Sequence, residues 1–422
     1  SARSHSLPDE PMSRDAGDDL AGKTARGALA SVAGQGTNFA VRIVSMVVVA
    51  RLVTPEHFGL VGMVTAFTGL LSLFRDAGLS AATVQREKVS HELVSTLFWV
   101  NAAIGLALML IAAAAAPALA AFYGEPRLVW ITLALSTGFL INGLLAQHRA
   151  LLQRDMRFGA LAGVDVASAV LGVVIGVGMA LAGFGYWALV AMLIGPPIAT
   201  ALGMWCASGW MPGLPRRVDG LGSVMQYGGT VTLNGLVVYV AYNADKMLLG
   251  RFFGAEALGL YGRAYQLINL PTENLHTTLG WVMFPALARV QNDPTRLRNF
   301  FLKGYGLFLA LVVPVTLACA LFAEEIVHVL LGPQWDAAIP IFRYLSPTVL
   351  AFALINPMAH LMMATGRATR SLLIALLIAP VVIAGYVLGL SHGPAGIAIG
   401  FSAAMLLLVV PVVFWARYGT SI

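Results

Sequence analysis

Apolar runs of about 20 residues, the length a helix needs to cross a bilayer core of about 30 Å, follow one another along the chain with short polar breaks between them. Twelve fall near 27–50, 57–75, 93–119, 127–147, 158–181, 185–207, 222–249, 257–284, 304–322, 338–364, 370–390 and 395–416. A backbone in hydrocarbon must satisfy its own hydrogen bonds, so runs of this length predict helices. Barrel strands would be half as long and would alternate apolar with polar positions. The expected class is all-α and polytopic.

The pattern also repeats. "ARLVTPEHFGLVG" at 50–62 aligns without a gap on "GRFFGAEALGLYG" at 250–262, placing Arg51 on Arg251, Glu56 on Glu256, Gly59 on Gly259, Leu60 on Leu260 and Gly62 on Gly262. Each stretch is the turn between the first and second run of a six-run half, and its carboxylate opens the following helix at the positive end of the dipole. A weaker match, 211 residues apart, pairs "LLQRDMRF" with "MMATGRAT" and "AGFGYWALV" with "GPAGIAIGF". Six runs per half, both halves starting on the same side, predict parallel repeats related by an axis along the membrane normal, as in transporters whose bundles rock about a central site. The expected division is a polar, disordered cytoplasmic tail over 1–26, a six-helix bundle over 27–209, a cytoplasmic linker over 210–221 and a second bundle over 222–417.

Composition agrees with the bilayer as solvent: of 422 residues 58% are hydrophobic and 11% charged, and the mean hydropathy is +0.80. The net charge of +6 does not form a nucleic-acid patch, because the basic residues sit between apolar runs. With a cytoplasmic N-terminus, 19 Lys and Arg fall inside and 4 outside, the bias that orients membrane proteins. Both termini are therefore expected in the cytoplasm. Cys206 and Cys319 lie within apolar runs, so no disulfide framework is expected. No phosphate-binding G-x-x-x-x-G-K-[ST] loop, H-E-x-x-H or C-x-x-C is present, and no cofactor or metal is expected. A membrane glycosyltransferase or polymerase would need polar groups gathered in a substantial outer loop, and the predicted outer connections are short.

Several stretches in order along the chain carry a resemblance: "FRDAGLSAATVQRE", "STLFWVN", "ALLQRDMRF", "GFGYWALV", "ADKMLLGRFFGAEALGLYGRAYQL", "VMFPALARVQNDPTRLRNF" and "LLGPQWDAAIPIFRYLS". They are similar to the polysaccharide transport branch, the Wzx-like flippases, of the multidrug/oligosaccharidyl-lipid/polysaccharide exporter superfamily. The resemblance implies two six-helix bundles in a V about a central cavity. It also implies export of polyprenyl-diphosphate-linked oligosaccharide repeat units across the bacterial cytoplasmic (inner) membrane, with a polysaccharide polymerase or export machinery as partner. Such flippases commonly have fourteen helices, where twelve runs are counted here.

Charge inside a span costs roughly 2.5–3.5 kcal/mol at the helix centre on insertion scales, so polar stripes mark candidate chemistry. In the first run Ser31, Gln35, Asn38, Arg42 and Ser45 recur at steps of three and four on one face, with Arg42 about 13 Å inside the outer end. The eighth run carries Arg263, Gln266, Glu273 and Thr277, and its counterpart in the first half is apolar there. These stripes line a cavity or, in the plainer reading, join helices, the second through an Arg263–Glu273 network. Asp245 and Lys246 diverge by roughly 100° as helix neighbours. The expected arrangement has Asp245, the counterpart of Ser45, continuing the stripe face and pairing with Arg263. Its alternative is that both charges snorkel to the outer surface. Asp165, Asn101 and His360 read as packing residues.

Arg pairs bidentately with phosphate oxygens, so Arg42 and Arg263, then Lys246, with Asn38 and Gln35 beside them, are the expected diphosphate-binding residues. Glu273 first and Asp245 second are the expected sites for a coupling proton or sodium ion. A cation-driven exporter of amphipathic drugs on the same fold would instead call for an acidic, aromatic-lined cavity. A third reading is a non-transporting scaffold of a polysaccharide assembly complex.

Overall fold

The computed structural model describes residues 34–75, 90–215, 221–290, 293–364 and 368–418, and these are helices and turns with no strand among them. The tail at 1–26 and residues 216–220 of the linker lie outside the described residues. In chain order the helices are α1 (34–52), α2 (Pro55–Ser72), α3 (His91–Tyr123), α4 (Leu128–Arg154), α5 (Phe158–Leu181) and α6 (Tyr186–Ser208). The helical stretch Leu221–Val290 breaks at Gly254, whose φ of 79° and ψ of −173° are open essentially to glycine alone. We treat its parts as α7 (221–253) and α8 (255–290). Then follow α9 (Pro294–Leu321), α10 (Ala323–Leu330), a 3₁₀ turn (Pro333–Ala338), α11 (Ile339–Leu345), α12 (Pro347–Ala364), α13 (Ala368–Gly389) and α14 (Gly393–Arg417).

Local signals place the boundaries. Pro55 opens α2 in its first turn with Glu56 beside it. Ser90 caps α3 by accepting from the Leu93 N–H at 3.2 Å, and Gly124 ends that helix in the left-handed region at φ 71°. Asp293 caps α9 through the Thr295 and Arg296 N–H groups, with Pro294 next in line. Prolines sit inside α3, α6, α9, α12, α13 and α14, as membrane helices tolerate when neighbours satisfy the freed groups.

The structure meets the expectation of an all-helical, polytopic membrane protein and refines the count of spans. Among the described residues α3, α4, α5, α6, α9 and the stretch Leu376–Arg417 are each long and apolar enough to cross a bilayer. The 3₁₀ turn with α11 and the start of α12 add a seventh crossing only as a pair bent by 41°, so the run at 338–364 is not one straight helix. Helices α1, α2, α7 and α8 are not among these six, and they carry polar residues such as Arg42, Glu56, Lys246 and Arg263.

Helices α3 to α6 pack among themselves, as do α12, α13 and α14 with the stretch formed by α7 and α8, and α2 lies along that stretch where the two groups meet. That contact is reciprocal. A Cβ on Gly59 would sit 1.6 Å from the Ala255 carbonyl oxygen, and one on Gly259 would sit 1.8 Å from that of Pro55. Residues 200 positions apart thus make the same backbone-to-backbone approach twice, which is why both copies of the repeated turn hold a glycine there. The turn side of this seam is tied further. The Trp335 indole donates to the Ala50 carbonyl at 2.8 Å, joined by the Gln334 amide, and Arg51 donates to the Val329 carbonyl at 2.7 Å. Deeper, the Tyr239 hydroxyl of α7 donates to the Ala66 carbonyl of α2 at 2.9 Å.

Two polar clusters brace the first group. At the α3–α4 turn Arg127 donates to Glu125 at 2.8 and 2.9 Å and to Glu56 at 2.6 Å, and its guanidinium holds the Glu125 carboxyl below the usual range. At the opposite end the chain after α6 is not a free linker. Gly213 N–H donates to Ser95 Oγ at 2.9 Å, the Trp99 indole donates to the Gly213 carbonyl at 2.9 Å, and the Trp210 indole donates to His91 Nδ1 at 3.1 Å.

Candidate functional site

Below the α2–α8 seam lies a cavity of about 440 Å³ lined by α1, α2, α6, α7 and α8. Arg42, Lys246 and Arg263 reach it from three different helices, together with Ser45, Thr65 and Gln266. Leu189, Met192 and Leu193 of α6 supply an apolar side. A charge in such a place needs protein partners or water, and each cation has one. Arg42 faces Glu273 at 3.6 Å, both side chains 54% exposed. Lys246 Nζ donates to Asn243 Oδ1 at 2.7 Å. Arg263 donates to Gln266 Oε1, one turn along, and its guanidinium lies 3.7 Å from the centre of the Phe58 ring, an attraction worth about 0.5–2 kcal/mol.

The predicted residues separate into groups. Arg42, Lys246 and Arg263 converge on one cavity. Glu273 is joined to it through Arg42. Asn38 and Gln35 continue the α1 stripe away from it: Asn38 is half-buried with its Oδ1 sealed from solvent and without a hydrogen bond, and Gln35 is exposed. Ser31 and the side chains of Thr277 and His360 lie outside the described residues.

Asp245 departs from expectation. It does not continue the stripe, snorkel to the surface or meet Arg263. It is fully buried, and one oxygen accepts from the Lys246 N–H at 2.8 Å. The other oxygen is sealed without a hydrogen bond of ordinary geometry, the Tyr261 hydroxyl lying beside it. The reason is helical: the step of about 100° between neighbours sends Lys246 to the cavity and Asp245 into the packing behind it. The Arg263–Glu273 network is likewise replaced. Those residues are ten apart, about 15 Å along one helix, so Glu273 meets Arg42 of α1 and Arg263 meets Gln266. Asp165 is a packing residue, as expected, holding Arg149 bidentately at 3.1 and 2.7 Å.

Phe58 escaped the sequence reading. Its ring is one of many in the chain, and nothing in "PEHFGLVG" marks it as the platform for a guanidinium two hundred residues away.

A family described as polysaccharide biosynthesis protein matches residues 48–340. The teichuronic acid biosynthesis protein TuaB of Bacillus subtilis (strain 168) is 28% identical over 341 residues, 78% of this chain and 68% of that one. The lipopolysaccharide biosynthesis protein WzxC of Escherichia coli (strain K12) is 25% identical over 375 residues, 86% and 75% of the two chains. Among solved structures, a lipid II flippase MurJ in an inward closed conformation has a TM-score of 0.75 at 14% identity, covering 91% of this chain and 86% of that one. An inward-facing multidrug resistance MATE family transporter of the MOP superfamily has 0.73 at 13%, covering 90% and 94%. At these identities the structural likeness speaks for the fold.

Proposed function

Because the chain belongs to the polysaccharide biosynthesis protein family, we propose that it is a flippase for polyprenyl-diphosphate-linked oligosaccharide in the bacterial inner membrane. The observation that carries the reading is the convergence of Arg42, Lys246 and Arg263 on one cavity under a closed seam. A diphosphate and its sugars cannot be solvated by lipid, whereas the polyprenyl tail can remain there. Guanidinium groups in a hydrated, protein-lined space lower the cost of carrying the phosphates across. The names of the relatives speak of biosynthesis of surface polysaccharides, and that of a solved neighbour speaks of a flippase, rather than of glycosyl transfer.

In this reading twelve spans form two six-helix bundles, 27–209 and 222–417, with both termini in the cytoplasm. The bundles part along the α2–α8 seam to open the cavity outward. Coupling to a proton or sodium ion is assigned to Asp245, ahead of Glu273. A carboxylate sealed in protein calls for a neutralising proton or cation, whereas Glu273 is half-exposed and already faces Arg42.

Transport of lipid-linked oligosaccharide by the full chain in proteoliposomes tests the proposal. Arg42→Ala and Arg263→Ala are expected to lower flux at least tenfold while the protein inserts normally. Gradient-driven export of amphipathic cations with no glycan-lipid flux would establish the drug-exporter reading instead. No flux of either kind would leave the scaffold reading.

A further inference from the structure

A second cavity, of about 370 Å³, lies between the end of α2, α3 and α4 and shares no lining residue with the first. Its polar residues are Arg75, Asn101, Asn142, Arg149 and Gln153. Helix α4 sets Asn142, Arg149 and Gln153 at steps of seven and four, so one face carries them over about 16 Å. The predicted fourth run ends near 147, so Arg149 and Gln153 fall beyond it, whereas the helix continues to Arg154.

Among its described residues the lining offers more donors than acceptors. Arg149 spends two of its five N–H groups on Asp165, and no carboxylate is among the described residues that line the cavity. Asn142 Nδ2 donates to the Gly138 carbonyl at 2.7 Å. Asn101 is 3% exposed, and its Nδ2 is sealed from solvent with no hydrogen-bond partner. A buried amide left so is costly, and a partner with acceptor oxygens would complete it. Asn101 is held in place by the helix crossing, since a Cβ on Gly143 would come within 2.5 Å of the Asn101 carbonyl oxygen. A compact group bearing negative charge and several acceptor oxygens complements these donors. The cavity's volume exceeds that of one such group and falls within the usual range of small-molecule sites.

We propose that this cavity binds a phosphate-bearing headgroup, with Arg75 supplying the countercharge and Asn101, Gln153 and the Arg149 N–H groups not engaged by Asp165 donating to its oxygens. The phosphate belongs either to an anionic phospholipid of the adjacent leaflet or to the diphosphate of the transported lipid on its way to the central cavity. The second source rests on the flippase reading.

Inorganic pyrophosphate titrated onto the full chain in phosphatidylcholine nanodiscs is the test. The unsubstituted protein is expected to bind two equivalents, and the Arg42→Ala, Arg263→Ala double variant one. In that background Arg75→Gln and Gln153→Leu, both exposed positions, are each expected to weaken the remaining affinity at least fivefold, and Asn101→Leu at least tenfold. A single equivalent in the unsubstituted chain that vanishes with Arg42 and Arg263 overturns the proposal. So does an affinity that Arg75→Gln and Gln153→Leu leave unchanged, and these two variants decide the matter if Asn101→Leu fails to fold. Phosphatidylglycerol and, separately, a polyprenyl diphosphate added to the nanodiscs separate the sources: competition by the first identifies a lipid headgroup, and competition by the second alone identifies the transported diphosphate. Absent flux with pyrophosphate binding intact would remove the flippase reading and leave this site standing.

Discussion

Arg42 and Arg263 share a cavity and a charge but are held differently, and the difference decides how each responds to substitution. Arg42 faces Glu273 across 3.6 Å and is half-exposed, so its fork is free to turn toward a phosphate. Arg42→Lys keeps the charge and loses the planar bidentate geometry. Flux is therefore expected to fall about three- to tenfold, less than for Arg42→Ala, when the two are compared in the same vesicles. At Asp245 the expectation separates binding from turnover. Asp245→Asn preserves size and the hydrogen bond from the Lys246 N–H but can neither release a proton nor neutralise a cation. Glycan-lipid binding should persist while gradient-driven flux is lost, and Glu273→Gln should cost less than threefold. The reverse order would return the coupling role to Glu273.

At the scale of helices, the repeated turn is a packing device. Gly59 and Gly259 let α2 and α8 approach at backbone distance in two places related by the repeat, so a side chain at either position must push the seam apart. With Cys206 and Cys319 replaced by serine, Thr65→Cys places a thiol in the cavity. A membrane-impermeant maleimide added outside is expected to label it at least fivefold faster when Gly59→Leu is also present. Unchanged labelling would mean that the seam is not what closes the cavity on that side. The ties from Trp335 and Gln334 to the Ala50 carbonyl resist the same separation from the segment between α10 and α11.

Across the whole molecule, the two copies of the turn lie on one face, because reciprocal contact of Gly59 with Ala255 and of Gly259 with Pro55 brings them side by side. The Lys and Arg bias counted along the sequence makes that side the outer one in the proposed orientation. Cysteines introduced at Pro55 and Glu256 are expected to react with an impermeant reagent from outside. Reaction only from the cytoplasm would invert the topology and, with it, the side on which the second cavity opens.

Much of this was legible in the chain before folding. Length and apolarity of the runs forced helices, since hydrocarbon offers the backbone no other partner. The gapless repeat announced a paired element, and the step of three and four residues placed Arg42 and Ser45 on one face. Which charges meet was another matter. A helix face is periodic along its own axis, but partners across helices depend on rotation and depth, which packing sets. So Glu273 met Arg42 rather than Arg263, Asp245 turned into the protein while its neighbour Lys246 turned to the cavity, and Phe58 became the floor under a guanidinium. The second cavity shows the same limit: the α4 stripe was written in the sequence, but Asn101 joined it only because a glycine let two helices cross at that point.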